Sequence, residues 1–388
     1  MTTGARDESA LLLDVTRLIW RRWTGRHPTG IDRVCLAYLE HYAPRAQAVV
    51  QHERYRQVLE RDVSRRLFDL LMHPADGFRR RLATGALRPG RRHDKNVRGR
   101  PYLNVGHTGL DRPGLGHWIR ESGVKPVYFV HDLIPITHPE YCRDGEGEKH
   151  VRRMQTVLHT GAAVVANSHA TIDELNAFAA RQGLQTPKAV AAWLGTTPFP
   201  APAAVPASDR PTFVTVGTIE ARKNHLFLLQ LWTRLAQKLR NDCPRLLVIG
   251  QRGWESEQAA DLLDRAEALK GVVVEAGGCS DAALAAHLSN ASALLFPSLA
   301  EGYGLPLVEA LAAGVPVIAS HLPVFREIGQ GIPELLDPLD GPGWERAILD
   351  YAQAGSEKRR EQCRRLDRFI TPTWADHLAK VDSLLATL

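Results

Sequence analysis

The chain has 388 residues, 44% hydrophobic and 24% charged, which is the composition of a folded globular protein rather than a fibrous or disordered one. Its length exceeds the ~250–300 residues at which single cores stop growing, so two domains are expected. No apolar run nears the ~20 residues of a membrane span. The lead-in MTTGARDESALLLDV is too acidic and too short in its apolar core for a secretory signal, and the five cysteines (Cys35, Cys142, Cys243, Cys279, Cys363) show neither CxxC nor zinc spacing. The expectation is a cytoplasmic protein with free thiols.

The net charge of +6 is partly local, since RRRLATGALRPGRRHDKNVRGR (79–100) sets nine Lys/Arg against one Asp. Its lack of apolar periodicity predicts a mobile basic loop from Arg79 to Arg100. Such a loop suits anionic lipid headgroups at the inner face of a membrane or a phosphate-bearing acceptor, and it is equally compatible with simple solvation. Without interleaved aromatics to stack on bases it argues against nucleic acid as a partner.

In chain order, LLLDV reads as a buried strand, TGRHPTG as a loop and IDRVCLAYLEHY as an amphipathic helix entered just after Gly30. PVYFV (126–130) and AAVVA (162–166) are short β-branched runs, each followed by a polar loop and a helical segment such as TIDELNAFAARQG. Five prolines in the sixteen positions of TTPFPAPAAVPASDRP (196–211) mark a domain linker. Beyond it, TFVTVGT, RLLVIG, VVVEAG, ALLFPS and VPVIAS alternate with the helical NHLFLLQLWTRLAQKL, AADLLDRAEALK, DAALAAHLSN and LVEALAAG. That rhythm predicts an α/β fold of βαβ units with parallel sheets, in two domains spanning 1–197 and 198–365 around a cleft. Ligands of such sheets bind beyond the carboxyl ends of the strands, so the loops that follow strands are where chemistry is sought.

The first such loop is AEGYG, between ALLFPS and a helix LPLVEALAAG with proline in its first turn and Gly314 as its stop. A glycine loop feeding a helix N-terminus offers free N–H groups to an anion such as a diphosphate. Glu301 on the loop and Glu309 in the helix can both accept hydrogen bonds from hydroxyl pairs; on spacing alone, Glu309 complementing the helix dipole and Glu301 simply solvated fit as well. The second is VTVGTIEARKNH (214–225), where Arg222 and Lys223 are positioned to neutralise a departing diphosphate without a metal, or serve as ordinary helix-flanking charges. The chain has no D-x-D triplet. The third is YFVHDLIPITHPEYC (128–142), with His131 and Asp132 at a strand end, where a lone histidine is commonly structural.

The phrase EGYGLPLVEALAAGVPV resembles the E-x7-E signature of the retaining glycosyltransferases of family 4. The resemblance is strong over most of the C-terminal half and confined to islands in the N-terminal half. It implies the GT-B fold, two facing Rossmann-like domains, with residues 366–388 forming a closing helix that packs back on the N-terminal domain. It implies that Glu309 grips the ribose of a nucleotide and Glu301 the hydroxyls of the donor sugar, while the backbone of Gly302, Tyr303, Gly304 and Leu305 lies against sugar and diphosphate. GTIEARKN is similar to a form found in bacterial mannosyltransferase-like members, which assigns the diphosphate to Arg222 and Lys223; the commoner pattern has Arg where this chain has Thr218. HDLIP.THPE implies that His131 contacts the sugar near its reacting carbon, with Asp132 orienting the loop or the ring. TGIDRV resembles the N-terminal glycine loop, where Gly30 lets the backbone approach the diphosphate. Asn167 and Ser168 of ANSHAT read as helix-capping residues.

The implied reaction is a front-face substitution retaining the donor configuration, with no metal and no cofactor beyond the nucleotide-sugar substrate. GDP-mannose is the favoured donor and a glycan or lipid-linked acceptor of surface polysaccharide synthesis the favoured partner. A UDP-sugar transferase of the same fold and an inactive nucleotide-sugar-binding protein are the alternatives. A dinucleotide-dependent oxidoreductase is disfavoured because no complete G-x-G-x-x-G follows a candidate strand.

Overall fold

The computed structural model describes residues 11–25, 29–52, 55–73, 77–82, 96–203 and 209–388. The chain divides into two compact units, Met1–Leu194 with Trp374–Leu388, and Gly195–Thr373. The expected borders at 197/198 and 365/366 therefore lie at 194/195 and 373/374. Residues 366–373 stay with the second unit for a visible reason: the Gln330 amide donates to Ile370 O at 2.8 Å and accepts from Ile370 N at 3.1 Å, and Pro372 O accepts from Thr196 N at 3.1 Å.

The first unit is built on β1 (Leu11–Asp14), β2 (Ala46–His52), β3 (Tyr55–Val58), β4 (Pro101–Asn104), β5 (Lys125–Val130), β6 (Ala163–Ala166) and β7 (Lys188–Ala191). Among the described residues these lie in the order β3-β2-β1-β4-β5-β6-β7. All neighbours are parallel except β2 and β3, which are antiparallel. The expected parallel sheet is present, with one antiparallel edge strand added where only two residues separate β2 from β3, too few for a crossover.

The second unit carries β8 (Thr212–Val216), β9 (Arg245–Ile249), β10 (Val273–Ala276), β11 (Ala293–Phe296), β12 (Val317–Ser320) and β13 (Glu334–Leu336), in the order β10-β9-β8-β11-β12-β13 and parallel throughout. This is the doubly wound order, which reverses between β8 and β11, and the loops after those two strands border the crevice where such sheets bind ligands. Its core includes the fully buried Phe213 of β8, with Trp232 and Trp344 contributed by the helices His225–Leu239 and Gly341–Tyr351. The segment AADLLDRAEALK is broken rather than one helix. The helix Glu257–Arg265 stops at Ala266, whose backbone is extended, and a 3-10 turn Glu267–Leu269 follows.

The basic stretch 79–100 is not one loop. Arg79–Arg81 close a short helical turn, Phe78–Arg81, and residues 83–95 lie outside the described residues. At its far end Val97 is buried and Arg100 donates to the Gln47 side chain at 2.6 Å.

The helix Trp374–Leu385 belongs to the first unit. Its His377 donates through Nδ1 to Ala192 O at 3.0 Å and accepts at Nε2 from the Tyr38 hydroxyl at 2.8 Å. Burial pushes the ring down to about 4, so the neutral tautomer these contacts require is the one present at neutral pH. Asp382 accepts from the Tyr42 hydroxyl at 2.9 Å.

Candidate functional site

The loops after β8 and β11 meet through one carboxylate. Glu301 Oε2 accepts from Arg222 Nη1 at 2.9 Å; its Oε1 accepts from Ser298 Oγ at 2.9 Å and from Lys223 Nζ. Arg222 also reaches Ala300 O at 3.2 Å and the Glu220 carboxylate at 2.8 Å. Backbone closes the same junction, with Leu299 N donating to Arg222 O at 2.7 Å. Asn224, in the left-handed region at φ 61°, bridges to Pro297 O and Pro338 O, both at 3.2 Å. The Lys223 ammonium sits 5.0 Å from the Phe296 ring centroid.

The group is largely closed to water: the side chains of Glu301, Lys223 and Arg222 are 7%, 11% and 25% exposed. Burial alone raises a carboxyl pKa, but the charges of Lys223 and Arg222 and the hydrogen bonds outweigh it and hold Glu301 down to about 2. Lys223 moves the other way, lowered by burial against the opposing pull of Glu301. Two cations and two carboxylates make the cluster formally neutral. Oε1 already accepts two hydrogen bonds and Oε2 one, so one lone-pair position on Oε2 is left for a hydroxyl.

Gly302, Tyr303 and Gly304 lead directly into the helix Leu305–Ala312, which carries Pro306 in its first turn. Gly304 has φ 108°, and a Cβ there would lie 2.7 Å from Cε1 of Phe325, so this loop requires glycine at that point. Tyr303 is buried. The loop after β9 is pressed against the other cluster loop: a Cβ on Gly250 would lie 1.9 Å from Gly217 O. Thr218 is exposed at the carboxyl end of β8. Glu309 is buried at 8% exposure one turn into its helix, lining a cavity of about 420 Å³ with Thr196, Phe199, Ala285, Ser289 and Thr371. The structure thus gathers Glu301, Arg222 and Lys223 into one contact, with Glu309 on the cavity wall formed with the proline-rich segment.

His131 and Gly30 lie in the first unit. His131 follows β5, is buried, and donates through Nε2 to Val105 O at 2.7 Å. Burial pushes it down to about 4. At neutral pH it is therefore an uncharged ring whose Nδ1 can only accept a hydrogen bond. Asp132 orients the loop rather than the ring, its Oδ1 accepting from Ile134 N at 3.1 Å. Asn167 holds His131 O at 2.8 Å, and Ser168 caps the helix His169–Arg181 by accepting from Thr171 N at 3.1 Å. Gly30 opens the helix Gly30–Tyr42 behind a capping box, in which Thr29 N donates to Asp32 at 2.7 Å.

Several residues escape sequence reasoning. His107 lies 5.1 Å from His131 and 5.7 Å from His150, ring to ring, and donates to Phe129 O at 2.7 Å. The signal that could have found it is its place in NVGHTG, directly after β4 and across the strand reversal from β1. His225 follows the cluster in sequence, buried with neither ring nitrogen hydrogen-bonded, and is pushed down to about 4 by burial and then by Lys223. Among the described residues no group of three or more His, Cys, Asp or Glu side chains is arranged to hold a metal ion, and no helix is long and apolar enough to cross a membrane.

Residues 201–330, which hold the whole cluster, match the model of the family "glycosyl transferases group 1". The chain is similar to the serotype-specific mannosyltransferase WbdA of Escherichia coli, 29% identical over 231 residues that are 55% of this chain and 28% of that protein. It is also similar to the O-antigen chain mannosyltransferase B of Escherichia coli, 33% identical over 141 residues, 36% of each. The chain thus spans roughly a third or less of the length of these relatives. Among solved structures, sucrose-phosphate synthase from Thermosynechococcus elongatus superimposes with TM-score 0.62 at 17% identity, over 97% of this chain and 99% of that one. Anabaena HepE in complex with UDP-glucose does so with TM-score 0.64 at 12% identity, again over 97% and 99%. The fold is that of the GT-B glycosyltransferases.

Proposed function

We propose that the protein is a retaining, metal-independent hexosyltransferase of glycosyltransferase family 4. In this reading it moves mannose from GDP-mannose to a glycan or lipid-linked acceptor in bacterial surface polysaccharide synthesis. The observation that carries the reading is the Glu301–Arg222–Lys223 cluster at the strand reversal of a doubly wound sheet. Its cations stand where a leaving diphosphate needs neutralising, and the start of the helix Leu305–Ala312 adds free N–H groups beside them. Mannose is favoured because the matched relatives are named mannosyltransferases.

In this mechanism the donor diphosphate takes over Arg222 and Lys223, which frees Glu301 to accept from the sugar. The leaving phosphate accepts the acceptor's proton as the new bond forms on the same face, so the enzyme's work is positioning and charge stabilisation. Glu309 binds the ribose, and the backbone of Gly302 to Leu305, with Thr218 and Gly30, lines the donor. His131 serves as a neutral hydrogen-bond acceptor for a sugar hydroxyl. Two cations and a helix N-terminus supply the charge a metal would otherwise bring, so activity is expected to persist in EDTA. The protein works in the cytoplasm, touching the inner membrane face through the basic stretch Arg79 to Arg100.

Incubation with a panel of GDP- and UDP-sugars, scored by nucleoside diphosphate release, tests the reading. Release from GDP-mannose supports it, release from a UDP-sugar alone moves the donor, and no turnover or binding with any donor overturns it.

A further inference from the structure

The loop after β4 holds a buried side chain to which the reading above gives no role. In NVGHTG (104–109) the backbone of His107 lies in the left-handed region at φ 58°, a conformation that is costly for a residue with a Cβ. Its surroundings fix the turn. Gly106 sits where a Cβ would meet Arg17 Cδ at 2.8 Å, and Thr108 O accepts from Asn104 Nδ2 at 2.9 Å and from Gln51 Nε2 at 3.1 Å. The turn brings the His107 ring onto the end of β5, where it is buried.

There His107 and His131 form a reciprocal pair. The parallel register of β4 and β5 matches Asn104 with Tyr128, and the same offset carried past the strand ends matches Val105 with Phe129 and His107 with His131. His107 Nε2 donates to Phe129 O at 2.7 Å and His131 Nε2 to Val105 O at 2.7 Å. Two side-chain N–H groups thus cross between the loops just beyond the backbone ladder. The His107 ring lies 5.1 Å from His131 and 5.7 Å from His150, which itself donates through Nε2 to Asp132 O at 3.0 Å. Burial, and then the neighbouring His131, push His107 well below its ordinary 6.5. A neutral imidazole has one N–H, and in His107 it is committed to Phe129 O, so the ring has no donor to set against His131 Nδ1.

We propose that His107 is a positioning residue for His131: its bond to Phe129 O fixes the loop that carries Val105 O, which holds His131 in its Nε2–H tautomer and leaves Nδ1 bare for a substrate hydroxyl. The proposal rests on the donor reading of His131 given above and adds to it a residue assigned no contact with donor or acceptor. A histidine serving only the core accounts for the bond to Phe129 O, but not for a left-handed backbone at the strand end or for the matching bond from His131 to Val105 O. With the His107 bond removed, Val105 O loses its fixed place and the His131 ring is free to turn or to exchange tautomers.

Histidine side-chain nitrogen NMR of the full chain, with no donor present, tests the pairing. The wild type is expected to show His107 and His131 each as a single Nε2–H tautomer. His107→Phe keeps a ring without the N–H, and His107→Asn suits the left-handed backbone with an amide too short to reach Phe129 O, so both are expected to show His131 as a mixture of tautomers. His107→Gln, whose amide nitrogen reaches about as far as Nε2, should keep the single tautomer. In the transferase assay His107→Phe and His107→Asn are expected to lower kcat by about tenfold with the donor KM within about twofold, and His107→Gln to recover to within about threefold of the wild type. The NMR measurement needs no donor, so it upholds or overturns the pairing even where the donor reading fails. Nδ1 protonation of either ring in the wild type, an unchanged His131 tautomer in the folded Phe or Asn variant, or a kcat loss in His107→Gln as large as in His107→Asn would overturn the proposal.

Discussion

Arg222 Nη1 and Glu301 Oε2 lie 2.9 Å apart across 79 residues of sequence, and Lys223 holds the other oxygen of the same carboxylate. The acid and the cations that the family resemblance assigns to different parts of a donor molecule are each other's partners in the structure. A buried ion group of this kind is costly to break from one side.

Glu301→Gln should therefore destabilise the second unit by about 3 kcal/mol, because Lys223 is left buried without its counter-charge while Arg222 keeps only Glu220. Adding Lys223→Met to that variant should restore part of the loss, since the surviving imbalance is smaller. Urea unfolding of the single and double variants measures both; a double variant less stable than the sum of the singles would contradict the coupling.

The cluster also sets an acid limit. Glu301 is held down to about 2, below its ordinary value near 4.5, so its contribution is fully present above about pH 4.5 and is lost as pH falls toward 2. The stability difference between the wild type and Glu301→Gln should be constant at neutral pH and shrink across that window. A difference that grows on acidification would contradict the assignment.

His131 sets a separate window. Its pKa is lowered from 6.5 to about 4 by burial, so the folded state favours the neutral ring and loses stability as pH falls from about 6.5 toward 4. Ring NMR at neutral pH should show Nε2 protonated and Nδ1 bare. A His131 titration above pH 6 would rule out the acceptor role.

The glycine loop is equally testable. Gly304→Ala meets both an unfavourable φ and the Phe325 ring, whereas Gly314→Ala, at φ 73° with open space around it, meets only the former. The cost should be about 1–2 kcal/mol at Gly314 and roughly 1–3 kcal/mol more at Gly304, with donor affinity falling only in the Gly304 variant. Equal losses at the two positions would mean that Phe325 yields freely.

Much of this architecture is legible in the sequence because it is local. The apolar runs of TFVTVGT and ALLFPS, the proline and glycine that bracket the helix Leu305–Ala312, and the cations of EARKN all announce themselves within a dozen residues. What is not legible depends on long-range contact. The antiparallel β3, the pairing of Glu301 with Arg222 and Lys223, the ring contact of His107 with His131 and the Gln330 side chain that pins Ile370 each join residues that no periodicity relates. The burial of Glu309 beside the proline-rich segment is of the same kind: position in the helix shows which end it is near, not which wall it lines.

The central claim is that the Glu301 cluster receives the diphosphate of a nucleotide-sugar donor, and calorimetric titration of the full chain with GDP tests it most directly. The account predicts saturable binding that weakens at least tenfold in both Arg222→Ala and Lys223→Ala, each charge-assisted contact contributing about 1.5–3 kcal/mol. GDP and UDP binding that are both absent, or GDP binding unchanged in the two variants, would contradict it.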